Sequence, residues 1–150
     1  MLATVEGGRI PEQARLIPKF PPDLPARDRG KFIETVYRVL FNYPVITAAE
    51  ARRRGILRGF DYHAISIPTT SGNVYPEFQF KGNRLHWRVE HASWYLWGWK
   101  RADWWTSPNE HFDDKATPAS LLGTAREYSE LEEAIKALYP RNSERMSYEE

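Results

Sequence analysis

The stretch of sequence that decides the fold runs from residue 87 to residue 105 and reads WRVEHASWYLWGWKRADWW. All six tryptophans of the chain lie within it. An indole buries a large apolar area and needs only one hydrogen-bond acceptor, so a cluster of this kind builds either a core or a contact surface. A chain of 150 residues does not usually bury six indoles completely. We therefore expect one or two at the surface, where tryptophan anchors partners.

The spacing of apolar residues is helical through this stretch. It predicts a helix from about residue 85 to residue 106, with Trp87, His91 and Trp94 on one face. Gly98 interrupts the pattern, and we expect the helix to break there.

Two further helices are predicted downstream. Thr117 and Pro118 are typical of a helix start, because proline is tolerated at the first helical position, and Gly123 ends this helix early. A last helix is predicted from about residue 128 to residue 138, with leucines, alanine and isoleucine on one side and glutamates on the other.

Upstream of the tryptophans, apolar residues at helical spacing predict a helix over residues 30–42. Thr47 and Glu50 have the spacing of a capping box, which predicts a short helix ended by Gly55.

A β-hairpin is predicted between these helices and the tryptophans. Its strands are residues 64–67 and 74–80, separated by a turn-rich segment. Pro76 cannot donate a ladder hydrogen bond, so we expect it to confine the second strand to a sheet edge or to shorten it.

The expected fold class is mainly α with one small β-hairpin (α+β). Residues 1–30 contain many prolines and glycines and are expected to form an arm without regular structure. Residues 31–82 form a helix and hairpin module, a degenerate helix-turn-helix-like unit. Residues 83–140 form a helical bundle, and residues 141–150 a flexible polar tail.

Composition and charge limit the function classes. The chain has no cysteine, which excludes disulfides and thiolate chemistry. It has no signal-peptide pattern and no apolar run of about 18 residues, so we expect a cytoplasmic protein without a membrane span. The net charge is +5 for residues 1–60 and −5 for residues 106–150. The basic half can favour nucleic acid, or the two ends can simply attract each other.

Catalytic and metal-binding patterns are missing from the sequence. The histidines at 63, 86, 91 and 111 do not have a paired metal-ligand spacing. The sequence contains no phosphate-binding loop and no Gly-x-Ser-x-Gly. We therefore expect a non-enzymatic protein with no cofactor and no metal. A small hydrolase is a remote alternative.

Three segments resemble one family of bacterial antitoxins. Residues 47–52 read TAAEAR, residues 75–80 read YPEFQF, and residues 104–122 contain WWTSPN followed by TPASLL. In this order they resemble the MbcA/ParS-like toxin-binding domain family, whose members often carry a helix-turn-helix before the toxin-binding domain.

The resemblance implies a helical bundle that binds and neutralises a toxin, commonly a RES-domain enzyme that degrades NAD. It implies that the contacts with the toxin and the fold that presents them involve Trp104, Trp105, Pro108, Asn109, Pro118, Leu121, Leu122, Arg141 and Arg145. A homodimer and operator DNA are further partners consistent with such a protein.

A DNA-binding transcriptional regulator is the alternative function. The densest basic cluster would carry it, beside a hairpin that could act as a wing: Arg52, Arg53, Arg54 and Arg58. Two glycines follow the short helix, and few residues remain for a recognition helix before the hairpin. A scaffold or oligomerisation module without a toxin is a third hypothesis.

Overall fold

A computed structural model describes residues 12–56 and 62–139 of the chain. In these residues the elements are α1 (Arg29–Asn42), β1 (Val45–Thr47), α2 (Ala48–Arg53), β2 (Ile67–Thr69), β3 (Gly72–Pro76), β4 (Phe80–Lys81), β5 (Arg84–Leu85), α3 (Trp87–Ser93), α4 (Lys100–Thr106), α5 (Pro118–Leu121) and α6 (Glu130–Lys136). Three short 3-10 helices cover Ala26–Asp28, Glu77–Gln79 and Ala125–Tyr128. The predicted fold class, mainly helical α+β, is confirmed.

The first helix supplies one wall of the main core. Phe32, Val36, Val39 and Leu40 of α1 are fully buried, as their helical spacing predicted. They belong to one apolar cluster with residues far along the chain, among them Trp105, Phe112, Leu121, Leu131 and Ile135. The most buried indole therefore belongs to the core.

The sheet has three strands and not the two of the predicted hairpin. β3 lies between β1 and β2 and pairs antiparallel with both, with Ile46 opposite Tyr75 and Ile67 opposite Val74. Of the two outcomes expected for Pro76, the edge position is wrong, because β1 covers the other side of β3. The shortened strand is confirmed, because β3 ends at Pro76. Pro76 is the last residue of β3 and is paired with Val45 of β1 but with no residue of β2. At this position the absence of a backbone N–H has little effect on the stability of the sheet.

The predicted strand 74–80 ends early because of one buried polar side chain. Gln79 is fully buried, and its amide accepts from Ile65 N at 2.7 Å and donates to Ile65 O at 2.9 Å and to Pro76 O at 3.0 Å. These bonds hold Glu77–Gln79 in a 3-10 turn. The chain then forms the β4–β5 hairpin around Gly82, whose φ is +64°.

The tryptophan-rich segment divides into α3 and α4. The predicted break is confirmed, but α3 already ends at Ser93, and Gly98 adopts a φ of +57° in the turn just before α4. Downstream, the Thr117 hydroxyl accepts from Ser120 N and caps α5, with Pro118 at the first helical position. α6 begins later than expected, at Glu130, because Thr124 caps a separate 3-10 turn before it.

The described part of the proline-rich arm, residues 12–30, packs against the fold. Gln13 is buried, its Nε2 donates to Leu40 O at 2.9 Å and its Oε1 accepts from Val45 N at 3.1 Å. Thr70 N donates to Ile17 O at 2.9 Å, so the arm also lies along the β2 end of the sheet. The expectation that no regular structure survives in residues 1–30 is wrong for Ala26–Asp28, which form a 3-10 helix, and for residues 29 and 30, which begin α1.

Candidate protein-binding surface

Half of the tryptophans lie at the surface. Trp87, Trp94 and Trp97 are 53%, 57% and 51% exposed, whereas Trp105 is 1% exposed. Half-exposed indoles leave much of their apolar area in water, so these three contribute less to the stability of the fold than a buried indole does. They mark this segment as a candidate contact surface.

Helix α3 exposes aromatic side chains to solvent and buries an arginine. Its exposed side carries Trp87, Glu90 and, partly exposed, His91, and the same stripe continues to Trp94 at the helix end. Its buried side carries Arg88, Val89, Ala92 and Ser93. An arginine inside and two indoles outside are the opposite of an ordinary amphipathic helix. The orientation therefore serves something other than burial of the largest apolar side chains.

A buried carboxylate, Glu127, and a partly exposed one, Glu132, hold Arg88 in this orientation. Arg88 is 3% exposed, and its Nε donates to Glu127 Oε2 at 2.8 Å while Nη1 donates to Glu132. Glu127 Oε1 also accepts from Gly123 N at 2.8 Å. Burial opposes ionisation of Glu127, but the Gly123 N–H and the Arg88 guanidinium outweigh it and hold the pKa of Glu127 below its usual value.

His86 completes this network at the start of α3. Its Nδ1 accepts from Arg88 N at 3.1 Å, and its Nε2 lies 3.5 Å from Glu127 Oε2. The acceptor role of Nδ1 assigns the ring proton of the neutral form to Nε2, facing Glu127. Burial lowers the pKa of His86 more than Glu127 raises it. The ring is therefore neutral at neutral pH and serves as a helix cap.

Aromatic contacts extend from α3 in both directions. The Arg88 guanidinium carbon lies 4.2 Å from the Trp87 ring centroid and 5.0 Å from that of Tyr128. Along the same stripe of α3, the centroid of the His91 ring lies 6.5 Å from the centroid of the Trp87 ring and 5.9 Å from that of Tyr95. Neighbouring rings therefore follow one another along the surface of the protein.

The series continues from Tyr95 to Tyr139, and a second group of rings starts from Trp94 at the end of α3. The ring centroids of Tyr95 and Tyr139 lie 5.7 Å apart. The His63 ring centroid lies 4.9 Å from that of Trp94 and 4.7 Å from that of Tyr62. We define the aromatic surface as Tyr62, His63, Trp87, His91, Trp94, Tyr95, Tyr128 and Tyr139. Tyr62, Tyr128 and Tyr139 are more than half exposed, so the outer rings face solvent.

Arg101 fixes the loops that carry the aromatic surface. Its guanidinium donates to backbone carbonyls of Leu96 at 2.8 Å, Ser93 at 3.0 Å and Tyr62 at 3.1 Å. Burial lowers the pKa of Arg101. The end of α3 and the segment of Tyr62 are thereby held together, although they lie about 30 residues apart in sequence.

An acidic cleft begins one residue beyond Tyr128. It has a volume of about 390 Å³ and is lined by His111, Asp113, Ser129, Glu130 and Glu133. Arg126 pairs with Glu130 at 2.7 Å and with Asp114 at 3.0 Å at its margin. The cleft combines open volume with negative charge, so it suits a cationic group of a partner.

The residues predicted to bind the partner are divided between core and surface. Trp105, Pro118 and Leu121 are buried within the fold. Trp104, Asn109 and Leu122 are half-buried, and Pro108 is exposed.

Asn109 has a structural role in its loop. Its Oδ1 accepts from His111 N at 2.8 Å, and its N donates to Ala116 O at 3.1 Å. Arg141 and Arg145 lie outside the described residues.

The predicted nucleic-acid residues form ion pairs within their own module. Arg53 pairs with Glu50, and Arg54 pairs with Glu50 at 2.7 Å and with Glu77 at 3.2 Å. Arg52 is exposed, and Arg58 lies outside the described residues. The described residues between α2 and β2 contain no second α-helix that could enter a DNA groove.

The tryptophans predicted to contact a partner are Trp104 and Trp105, whereas the exposed tryptophans are Trp87, Trp94 and Trp97. The spacing correctly placed Trp87 and Trp94 on one face, but spacing alone does not tell which face is buried. Arg88 carried the usable signal: a cation opposite the tryptophan stripe, with several glutamates downstream to pair with it.

Comparisons with known proteins found no relatives. No family model matches the sequence, and no curated protein and no solved structure is significantly similar to it. Within residues 12–56 and 62–139, no group of three or more metal-ligating side chains is positioned to hold a metal ion. The helices in the same residues are too short and too polar to cross a membrane.

Proposed function

We propose that the protein is a non-enzymatic antitoxin that binds and neutralises a cognate toxin protein through the aromatic surface. One observation carries the proposal: Trp87 on α3 and Trp94 directly after α3 are more than half exposed, while Arg88 of α3 is buried. A fold that needed those indoles for its core would bury them and expose the arginine. Their exposure therefore serves a contact with another molecule.

The choice of a toxin as the partner is supported by the resemblance of residues 47–52, 75–80 and 104–122 to MbcA/ParS-like antitoxins. By that resemblance the toxin is a RES-domain enzyme that degrades NAD. The mechanism is steric occlusion: indoles anchor the complex, and polar residues including Arg141 and Arg145 reach the cleft of the toxin. Buried aromatic anchors typically lose about 2 kcal/mol of binding free energy or more on truncation to alanine.

Co-expression with the protein encoded next to it tests this function. We expect the two to co-purify, and the neighbouring protein to arrest growth when it is expressed alone. Trp94→Ala is expected to weaken the complex about thirtyfold or more, which corresponds to about 2 kcal/mol of binding free energy. Phe41→Ala is the matched control, because Phe41 is a 49% exposed aromatic residue on α1.

Two results would contradict the proposal. One is a neighbouring protein that neither co-purifies nor arrests growth. The other is a complex that Trp87→Ala and Trp94→Ala leave intact, since the aromatic surface would then have no part in binding.

A further inference from the structure

Glu90 places an exposed carboxylate among the rings of the aromatic surface. Glu90 is exposed on α3, three residues after Trp87 and four before Trp94, so its side chain lies between the two indoles on the helix stripe. Within residues 12–56 and 62–139, no basic side chain pairs with Glu90. By contrast, Glu127 and Glu132 near the same helix are both paired with Arg88.

Within the protein, the guanidinium of Arg88 shows which kind of group binds between aromatic rings and carboxylates. The Arg88 guanidinium stacks on Trp87 and Tyr128 and pairs with two carboxylates. A planar cation is suited to both contacts, since it is attracted to ring faces and donates several hydrogen bonds to carboxylates. Trp94 and Glu90 expose an aromatic ring and a carboxylate to solvent, the same two kinds of group that bind the Arg88 guanidinium.

Negative charge continues beside the aromatic surface. Asp113 and Glu133 line the cleft beyond Tyr128, and no basic side chain in the described ranges pairs with either of them. Residues 106–150 together carry a net charge of −5. Complementarity therefore favours a basic partner, and it disfavours nucleic acid, whose phosphates these carboxylates would repel.

We propose that the α3 face binds a basic segment of the partner protein, with an arginine of that segment stacked on the indole of Trp87 or Trp94 and paired with Glu90. This rests on the proposed function, because it names the chemistry of the toxin segment that the aromatic surface binds. The cleft of Asp113 and Glu133 takes a second cationic side chain of the same segment.

A peptide titration of the full chain tests the arginine contact directly. The probe is a Gly-Arg-Gly-Arg-Gly peptide with blocked ends, followed by the indole N–H signals in NMR spectra. Two matched peptides replace arginine with lysine, which keeps the charge, or with citrulline, which keeps the planar shape without the charge. We expect the arginine peptide to shift the Trp87 and Trp94 signals and to bind more tightly than both controls.

Variants locate the contact on the surface. Glu90→Gln is expected to weaken binding of the arginine peptide about threefold and to leave the citrulline peptide unaffected. Trp94→Ala is expected to weaken binding about three- to fivefold. Glu34→Gln is the matched control, because Glu34 is an exposed carboxylate on α1.

The inference is overturned if the citrulline peptide binds as tightly as the arginine peptide, or if a thymidine oligonucleotide shifts the same indoles more strongly. If the neighbouring protein co-purifies equally well with the wild type and with Glu90→Gln, the arginine contact is overturned, whereas the proposed toxin binding still stands. A missing toxin partner together with normal arginine-peptide binding would instead overturn the proposed function and leave the arginine site standing.

Discussion

The side chains of Arg88 and Glu127 are both almost completely buried, and Arg88 Nε donates a hydrogen bond to Glu127 Oε2 over 2.8 Å. This pair determines which way α3 faces. With the guanidinium held inside by Glu127 and Glu132, the stripe that carries Trp87 and Trp94 has to face solvent. The exposure of the aromatic surface thus follows from an ion pair on its opposite side.

Removal of Arg88 should destabilise the fold strongly. Arg88→Leu leaves the buried carboxylate of Glu127 without its cation, and we expect the free energy of unfolding to fall by about 3–5 kcal/mol. Urea denaturation measures this change. The double variant Arg88→Leu with Glu127→Leu should recover part of the loss, because no buried charge then remains unpaired. A single variant within about 1 kcal/mol of the wild type would show that the pair does not hold α3.

Stability should fall in acid in two steps. Burial lowers the pKa of His86 below its ordinary 6.5, so the unfolded chain binds a proton that the folded chain does not, and stability decreases as the pH falls below 6.5. Glu127 has a pKa below its ordinary 4.5, so its contribution is present above pH 4.5 and is lost as the pH falls through its lower folded value.

Thermal denaturation across this pH range tests the assignment of the first step to His86. His86→Asn keeps an oxygen that can accept from Arg88 N as a helix cap, but it cannot take up the proton. We expect the variant to lose the dependence just below pH 6.5 and to keep the step at lower pH. His111→Asn is the matched control at an exposed position. An unchanged first step in His86→Asn would rule out this assignment.

Two tryptophans should separate folding from binding. Trp105 is 1% exposed in the core, and Trp105→Ala should cost about 3–5 kcal/mol of stability. Trp94→Ala should change stability by less than about 1 kcal/mol, because the indole is 57% exposed, and should impair partner binding instead. Urea denaturation and co-purification measured on both variants give the answer. Equal loss of stability in both would mean that Trp94 belongs to the core.

The helices were predictable because their signals are local. The burial of Phe32, Val36 and Val39 follows from their spacing, and the α5 boundary at Thr117 follows from cap chemistry. Gly98 lies in the turn just before α4, where its positive φ suits glycine. Each of these signals involves residues within a few positions of one another.

The long-range features could not be predicted in the same way. β1 is only three residues long, too short for a periodic pattern, and it exists through its pairing with β3 about 30 residues later. The direction of α3 depends on Glu127, 39 residues from Arg88. Helical spacing located Trp87 and Trp94 on one face, but this distant carboxylate decided that the face is exposed.

The basic cluster of α2 should bind DNA weakly. Glu50 pairs with both Arg53 and Arg54, so a phosphate would have to compete with a carboxylate already in place. We expect only non-specific binding of the chain to duplex DNA, with a Kd of about 10⁻⁴ to 10⁻⁶ M at physiological salt. Fluorescence anisotropy with the upstream region of its own gene, at two salt concentrations, measures this affinity.

Glu50→Gln provides the informative variant for DNA binding. It removes the competing charge beside Arg53 and Arg54, and we expect DNA affinity to rise while its salt dependence becomes steeper. Glu34→Gln on α1 removes one carboxylate at another exposed position and controls for the change in net charge. Sequence-specific binding of the wild type at nanomolar concentration would contradict the expectation. The alternative function, a DNA-binding regulator, would then take precedence over a protein that acts through its aromatic surface alone.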